Sequence, residues 1–225
     1  MTDDGTGQQA RALHVFDMDG TLLAGSACLD LSARAGYLSS VEEMEDAWGR
    51  GEIGHVEFYD LLIPLWSELT HEDVDETFAK AGWIEGLREV LADIRSRGER
   101  SAVVSLSPHF FVRRLQAWGL DYAYGAGVEI GEPVLPERVY VPETKVTVVA
   151  DLLAELRLGA DRCVVYGDSS SDVPLFQRFP NSIAVNASSS LLPFAHVTYE
   201  GPDLASAYAL GRSLLGDEAE EPPQP

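Results

Sequence analysis

Short apolar runs alternate with amphipathic segments along most of this chain. The runs lie at residues 12–17, 100–105, 162–166 and 182–185, and Val recurs in each of them. Brief and nearly continuous apolar runs are typical of strands that a parallel sheet buries on both faces. Because segments with helical spacing separate the runs, the pattern predicts a Rossmann-like α/β fold with a parallel sheet.

A long helical stretch interrupts this alternation after the first run. Capping signals at Ser26, Ser40 and Thr70 predict helix starts, and a further helix with a kink at Pro64 is predicted before the last of them. A plain crossover between parallel strands needs far fewer residues than this stretch contains. We therefore interpret residues 24–82 as an inserted α-helical cap.

The alternation then continues to the end of the fold. Helices are predicted at residues 85–97, 108–118, 145–158, 172–179 and 203–215, and short strands or a hairpin within residues 122–141. This division assigns residues 11–23 and 83–215 to the α/β core, and it predicts disorder for residues 1–10 and for the acidic, proline-containing segment 216–225.

Two carboxylates follow the first apolar run directly. Asp17 and Asp19 are two residues apart, so their side chains point the same way if the chain is extended there. They lie at the carboxyl end of the predicted strand, where open α/β sheets bind ligands. Asp17 is a candidate nucleophile for phosphorus, and Asp19 is a candidate general acid and base. The pair therefore predicts phosphoryl chemistry.

Further polar groups are predicted to reach the same edge. Ser105 ends the second run, Lys145 begins a helix, and Asp168 and Asp172 come after the run at residues 162–166. We expect Ser105 and nearby backbone N–H groups to hold phosphate oxygens. Lys145 would neutralise charge on the phosphoryl group, and Asp172 would orient either that lysine or a metal-bound water.

A divalent cation is expected beside these groups. Asp168, Asp17 and the backbone carbonyl of Asp19 would hold Mg²⁺, which accepts one or two carboxylates together with substrate oxygens and water. Thr21 and Leu106 complete the predicted phosphate site with Ser105 and Lys145. The predicted partner is a small phosphorylated metabolite.

Jointly, these motifs resemble those of the haloacid dehalogenase-like hydrolase superfamily. The DxDGT signature at residues 17–21, the serine-ended strand, the lysine and the GDxxxD element at residues 167–172 occur in the family's order. The resemblance implies a phosphatase that acts through an aspartyl-phosphate, because the family's dehalogenases lack the second aspartate. The helical insertion is similar to the type-1 cap of the phosphoserine phosphatase-like branch.

The chain departs from that branch where phosphoserine would be recognised. Ser26 stands where the branch has a glutamate for the substrate ammonium group, and residues 56–69 contain no arginine or lysine for its carboxylate. Ser105-Leu106-Ser107 replaces a serine followed by two glycines, and Ser171 replaces an asparagine. We therefore expect a substrate other than phosphoserine, with Ser26 as a candidate specificity residue.

The composition limits the binding partners and the cellular compartment that we expect for this protein. The net charge of −21 argues against nucleic acid and anionic membranes, which require clustered basic residues. No apolar run is long enough for a membrane span, and no signal peptide is visible. Cys28 and Cys163 are far apart and are expected to be reduced thiols in a cytoplasmic protein. The sequence does not indicate the oligomeric state.

Other interpretations stay open at this point. A phosphotransferase or phosphomutase would use the same groups with a second hydroxyl as the acceptor, and a phospholigand-binding protein would keep them without turnover. Asp172 would also serve as a simple helix cap. Trp48, Phe58, Tyr59 and Trp66 in the predicted cap are interpreted as packing residues, and His55 and His109 are assigned no metal.

Overall fold

The computed structural model describes residues 9–216, so most of the two segments predicted to be disordered, residues 1–10 and 216–225, lies outside the described part. Within it, six strands form one parallel sheet: β1 (Leu13–Phe16), β2 (Arg100–Pro108), β3 (Tyr122–Ala126), β4 (Cys163–Gly167), β5 (Asn181–Val185) and β6 (Val197–Tyr199). The α-helices are α1 (Ala27–Ala35), α2 (Leu38–Gly49), α3 (His55–Leu62), α4 (His71–Lys80), α5 (Leu87–Ser96), α6 (His109–Val112), α7 (Pro142–Leu156), α8 (Val173–Arg178) and α9 (Leu204–Leu214). No helix in residues 9–216 combines the length and apolar character needed to cross a membrane.

The strand order β3-β2-β1-β4-β5-β6 is that of a Rossmann-like fold, which confirms the predicted fold class. β1 lies between β2 and β4 at the centre of the sheet. Leu13 and Val15 pack toward α7 and α8, whereas His14 and Phe16 face α5 and α9. Because helices cover both faces, the carboxyl end of β1 opens where the strand order reverses, which is where such sheets bind ligands.

Helices α1 to α4 all lie between β1 and β2. The chain leaves and re-enters the α/β layers through two adjacent segments. Ala24 N donates to Gly82 O at 2.8 Å, and Ile84 N donates to Leu22 O at 2.8 Å. These bonds hold both ends of the helical insertion beside the end of β1. The domain division at residues 24–82 remains a prediction.

Local capping signals located α1 and α4 correctly and α2 wrongly. Ser26 is the N-cap residue of α1, and its side chain accepts a hydrogen bond from Leu29 N. Thr70 and Asp73 form a reciprocal capping box at the start of α4, as predicted. The start predicted at Ser40 is wrong, because α2 begins at Leu38 and has no side-chain cap. Gly36, at φ 85°, turns the chain directly after α1, so that α2 begins before the capping signal is reached.

Other segments differ in detail from the sequence predictions. The predicted kink at Pro64 is a change from α3 to a 3₁₀ turn over Ile63–Trp66. The helix predicted for residues 108–118 is the short α6 followed by a 3₁₀ segment. Within residues 122–141 there is the single strand β3 and no hairpin. β6 was not predicted, because three partly exposed residues are too short for a periodic pattern.

β2 becomes irregular near its carboxyl end. Its pairing with β3 is regular from Ala102 to Val104 and resumes only at Pro108. A break of this kind frees the intervening residues from regular pairing and redirects their side chains. Ser105 and Ser107 lie in this break, next to the end of β1.

A buried polar group supports the sheet on the side of α9. His14 Nδ1 lies 3.0 Å from Tyr166 Oη, and His14 Nε2 lies 2.9 Å from Glu99 Oε2. Burial lowers the pKa of His14, so the neutral ring donates to Glu99 and accepts from the tyrosine hydroxyl. The hydroxyl is thereby held against Gly211 of α9, where a Cβ atom would lie 2.1 Å from Oη.

We predict that Gly211→Ala destabilises the protein. Alanine normally stabilises a helix interior by about 1 kcal/mol relative to glycine. Here the added methyl group would overlap the fixed Tyr166 hydroxyl, so the free energy of unfolding should fall by about 1–3 kcal/mol in urea denaturation. Ser213→Ala on the exposed side of α9 is the control and should change stability by less than about 0.5 kcal/mol. Unchanged or increased stability of Gly211→Ala would contradict this packing.

Candidate active site

Asp17 stands at the carboxyl end of β1 and is almost fully buried. Its Oδ1 accepts a hydrogen bond from Met18 N at 2.7 Å, and its Oδ2 lies 2.9 Å from Lys145 Nζ. Its own N–H donates to Tyr166 O at 2.9 Å, which ties this residue to β4. The carboxylate therefore has a fixed orientation and a cationic partner.

Asp19 is anchored from two sides. Its Oδ1 accepts from Ala27 N, the first residue of α1, at 2.7 Å. Its Oδ2 accepts from Ser105 Oγ at 3.1 Å and from Ser107 Oγ at 2.7 Å. The helix N-terminus and the irregular end of β2 thus hold this carboxylate together.

Lys145 is fully buried at the start of α7. Its ammonium group lies between two carboxylates, 2.9 Å from Asp17 Oδ2 and 2.7 Å from Asp172 Oδ1. Asp172 is also buried, and its Oδ2 accepts from the backbone N–H groups of Asp168 and Ser169. Asp172 therefore contacts the lysine directly and fixes the turn after β4.

Asp168 lies directly after β4 and faces the turn after β1. Its Oδ1 accepts from Thr21 Oγ1 at 3.2 Å. Gly20, at φ 80°, allows this approach, because a Cβ there would lie 2.2 Å from Asp168 Oδ2. Carboxylate oxygens of Asp17, Asp168 and Asp172 lie within 4.8 Å of one another, a spacing that suits a hard divalent cation.

The concentration of negative charge is visible in the pKa shifts. Burial raises the pKa of Asp17 well above its usual value, repulsion from Asp172 adds to this, and Lys145 opposes it. Burial and Asp172 raise the pKa of Asp168 to about 7. Burial also raises the pKa of Asp19, against its three hydrogen-bond donors. Burial alone would lower the pKa of Lys145, but Asp17 and Asp172 raise it, so the lysine stays charged.

A cavity of about 350 Å³ opens above these groups. Asp17, Asp19, Lys145 and Asp168 lie on its lining, together with Ser107 and Leu106. The opposite side is formed by residues of α1, α2 and α3 and the N-cap of α1, namely Ser26, Cys28, Glu45, Trp48, His55, Phe58 and Tyr59. The cavity therefore lies between the end of the parallel sheet and the helical insertion.

The structure brings most of the predicted site residues to this cavity, with two differences in position. Ser105 and Thr21 are buried behind it, with their hydroxyls bonded to Asp19 and Asp168. Ser107, two residues beyond Ser105 on the same side of β2, lines the cavity and was not predicted. The spacing of two residues would have marked Ser107 as a second candidate, but the break in pairing between β2 and β3 determines which of the two serines faces the cavity.

The aromatic residues of the insertion divide between two environments. Trp66 is fully buried and donates from Nε1 to Ser32 Oγ at 3.0 Å, as expected for a packing residue. Phe58 and Tyr59 are buried in the hydrophobic core and Trp48 packs against it, as expected, but all three also line the cavity. Nothing in the local sequence separates these three from Trp66, because the difference arises from how α2 and α3 pack.

A protein-family model described as haloacid dehalogenase-like hydrolase matches residues 14–177. The chain belongs to the haloacid dehalogenase-like hydrolase family. This confirms the relationship that the motifs around Asp17, Lys145 and Asp168 indicated.

Several curated relatives are named phosphoserine phosphatase. The enzyme of Archaeoglobus fulgidus is 29% identical over 187 residues, which cover 81% of this chain and 54% of the relative. SerB2 of Mycobacterium tuberculosis is 26% identical, covering 90% of this chain and 51% of the relative. The chain thus spans about half the length of these two. The enzyme of Streptococcus thermophilus is 25% identical, and the match covers 87% of this chain and 94% of the relative.

Solved structures of the same fold include a substrate-bound phosphoserine phosphatase, with a TM-score of 0.76 at 21% identity over 89% of this chain and 98% of that one. A haloacid dehalogenase family hydrolase from Salmonella enterica serovar Typhi gives a TM-score of 0.78 at 22% identity, over 93% of this chain and 73% of that one. Family and relatives together support a phosphoric monoester hydrolase. The relatives' names conflict with the expectation that phosphoserine is not the substrate.

We predict that Lys145→Met destabilises the protein in a pH-dependent manner. Without the ammonium group, Asp17 and Asp172 would be buried with no cation, and the pKa of Asp17 would rise further. When the pKa of a carboxyl group is higher in the folded than in the unfolded state, the free energy of unfolding falls as pH increases, because the group ionises more readily in the unfolded chain. In urea denaturation with a chelator present, the free energy of unfolding of Lys145→Met should be about 3–5 kcal/mol below that of the wild type at pH 8. The difference should be smaller at pH 5.

The matched control for this experiment is Lys80→Met. Lys80 is exposed on α4, and within residues 9–216 its ion-pair partner is Glu76, one helical turn away. Its replacement should cost less than about 1 kcal/mol at both pH values. A loss for Lys145→Met that is equal at pH 5 and pH 8 would contradict the paired-carboxylate arrangement.

Proposed function

We propose that this protein is a Mg²⁺-dependent phosphatase that hydrolyses a small phosphomonoester through an aspartyl-phosphate on Asp17. The observation that carries the proposal is the convergence of Asp17, Asp19, Lys145 and Asp168 on one side of a single cavity. A nucleophile, a proton carrier, a cation and a further carboxylate are the groups that phosphoryl transfer between oxygens requires.

In the first proposed step, Asp17 attacks the phosphorus of the monoester. A bond forms between a carboxylate oxygen and phosphorus while the bond to the leaving oxygen breaks. Asp19 donates a proton to the departing alkoxide, a task that its raised pKa suits. Lys145, held 2.9 Å from Asp17 Oδ2, favours the ionised form of the nucleophile and stabilises charge on the phosphoryl group.

In the second proposed step, Asp19 removes a proton from a water that attacks the same phosphorus. The bond from phosphorus to Asp17 breaks, inorganic phosphate leaves, and both carboxyl groups return to their starting states. Ser105 and Ser107 keep Asp19 in place throughout, because both hydroxyls donate to its Oδ2. The N–H groups near Leu106 and the ammonium group of Lys145 are the proposed contacts of the phosphate.

The residues present fit a magnesium ion. Both carboxylate oxygens of Asp172 already accept hydrogen bonds, one from Lys145 and the other from two backbone N–H groups. The proposed ligands are therefore Asp17, Asp168 and the backbone carbonyl of Asp19. Burial and repulsion from Asp172 raise the pKa of Asp168 to about 7, and a bound cation would relieve that repulsion. When bound, Mg²⁺ would orient the phosphate and neutralise part of its charge.

The substrate class is a phosphorylated small molecule that fits a cavity of about 350 Å³. Phosphoserine is retained among the candidates, because curated relatives carry that name. A cytoplasmic location is also part of the proposal, and its support is that Cys28 and Cys163 are both free.

We predict that Asp17→Asn abolishes hydrolysis of p-nitrophenyl phosphate in the presence of Mg²⁺. The amide cannot act as the nucleophile, so the turnover number should fall by at least about 10³-fold. Asp151→Asn, the same change at an exposed position of α7, is the control and should retain wild-type activity.

The result that overturns the proposal is an absence of wild-type activity above the Asp17→Asn background. This would have to hold for p-nitrophenyl phosphate and for a broad panel of phosphomonoesters. Release of inorganic phosphate, measured beside the panel, separates hydrolysis from transfer to a second hydroxyl. A transferred ester without free phosphate would also overturn it.

A further inference from the structure

We propose that Glu45 binds a cationic group on the alcohol that the substrate releases, so that the substrates are phosphate monoesters of amino alcohols. This inference rests on the proposed phosphatase function and names its substrate class. Glu45 lies on α2, in the side of the cavity away from the sheet. Neither the family model nor the names of the relatives assign it a role.

Glu45 is the acidic residue of α2 that turns into the cavity. Its Oε1 accepts a hydrogen bond from Ser26 Oγ at 2.6 Å. Ser26 is the N-cap residue of α1, and α1 also begins with the N–H group that holds Asp19. Because Asp19 and Glu45 are both tied to the start of α1, the two carboxylates have a fixed relation across the cavity.

The charge of Glu45 has no basic partner within residues 9–216. Among the residues that line the cavity, Lys145 is already paired with Asp17 and Asp172, and no arginine is present. Burial raises the pKa of Glu45, an effect that the Ser26 hydroxyl reduces and Asp19 increases. A partly buried carboxylate in this situation is stabilised by a cation, and an ammonium group on the ligand would supply one.

Aromatic side chains form the wall next to Glu45. Trp48 lies almost one helical turn further along α2, with its ring centroid 6.0 Å from that of Phe58. Tyr59 lines the same space and donates to Leu106 O at 2.6 Å, close to the proposed phosphate site. Aromatic faces attract organic cations and exclude water around alkyl groups. The wall therefore suits the carbon chain of an amino alcohol.

The wall also contains a polar side chain, that of His55. His55 Nε2 is buried, and within the described chain it makes no hydrogen bond. Burial lowers the pKa of His55, so the ring is neutral and does not repel a cation. The His55 ring lies edge-to-face on Trp48, with ring centroids 5.2 Å apart, so it adds an uncharged polar side chain to the wall beside Glu45.

The experiment compares substrates that differ only in charge. Phosphoethanolamine and 2-hydroxyethyl phosphate have nearly the same shape, but the first carries an ammonium group and the second a hydroxyl group. The pair 3-aminopropyl phosphate and 3-hydroxypropyl phosphate repeats the comparison with a longer chain. We expect kcat/KM to be higher for at least one ammonium substrate than for its neutral partner, by about 10- to 100-fold.

Glu45→Gln tests whether this preference comes from Glu45. The amide keeps the size of the side chain and can still accept from Ser26 Oγ. It should remove most of the preference by lowering kcat/KM for the ammonium substrate, while kcat/KM for the neutral partner changes by less than about threefold. Glu43→Gln, which removes the same charge from the exposed face of α2, should leave the preference intact.

Two results would overturn the inference. One is a wild-type protein that prefers neither ammonium substrate over its neutral partner. The other is a Glu45→Gln variant that retains the preference or loses equal activity on both members of a pair. Hydrolysis of p-nitrophenyl phosphate by the wild type, absent in Asp17→Asn, would show in either case that the phosphatase function stands and that only the substrate class is wrong.

Discussion

The position of Lys145 between Asp17 and Asp172 is the interaction on which the site depends. It joins the ends of β1 and β4 to the start of α7, at the point where the strand order of the sheet reverses. Several carboxylates are buried there in a chain with a net charge of −21, and a single ammonium group compensates two of them. Burial and this uncompensated charge raise the pKa of Asp168, a repulsion that the proposed magnesium ion would relieve.

A second set of bonds connects this site to the helical insertion. Asp19 is held by the first N–H group of α1 and by two serines of β2, so the proposed proton carrier belongs to both parts of the molecule. The start of α1 also holds Glu45 through Ser26. The arrangement places the proposed phosphoryl chemistry at the sheet and the proposed recognition of the leaving alcohol on α2 and α3, with α1 between them.

The sequence predicted the parallel sheet and the convergence of Asp17, Asp19, Lys145 and Asp168, because short apolar runs and the polar residues at their ends are local features. It did not predict that Ser105 is buried behind Asp19 while Ser107 faces the cavity, since this arises from the break in pairing between β2 and β3. Glu45 could not be found from local sequence either. Its contact with Ser26 spans 19 residues and exists only because α2 packs beside α1.

Trapping the phosphoryl group on the protein tests the central claim, that Asp17 is the nucleophile, most directly. In Asp19→Asn, p-nitrophenyl phosphate can still phosphorylate Asp17, because its leaving group needs no proton, but water attack loses its base. After an acid quench, mass spectrometry of the digested variant should find the phosphoryl group on the peptide that contains Asp17, and on Asp17 itself. A phosphoryl group on another residue, or release of phosphate with no phosphorylated protein, would contradict the account.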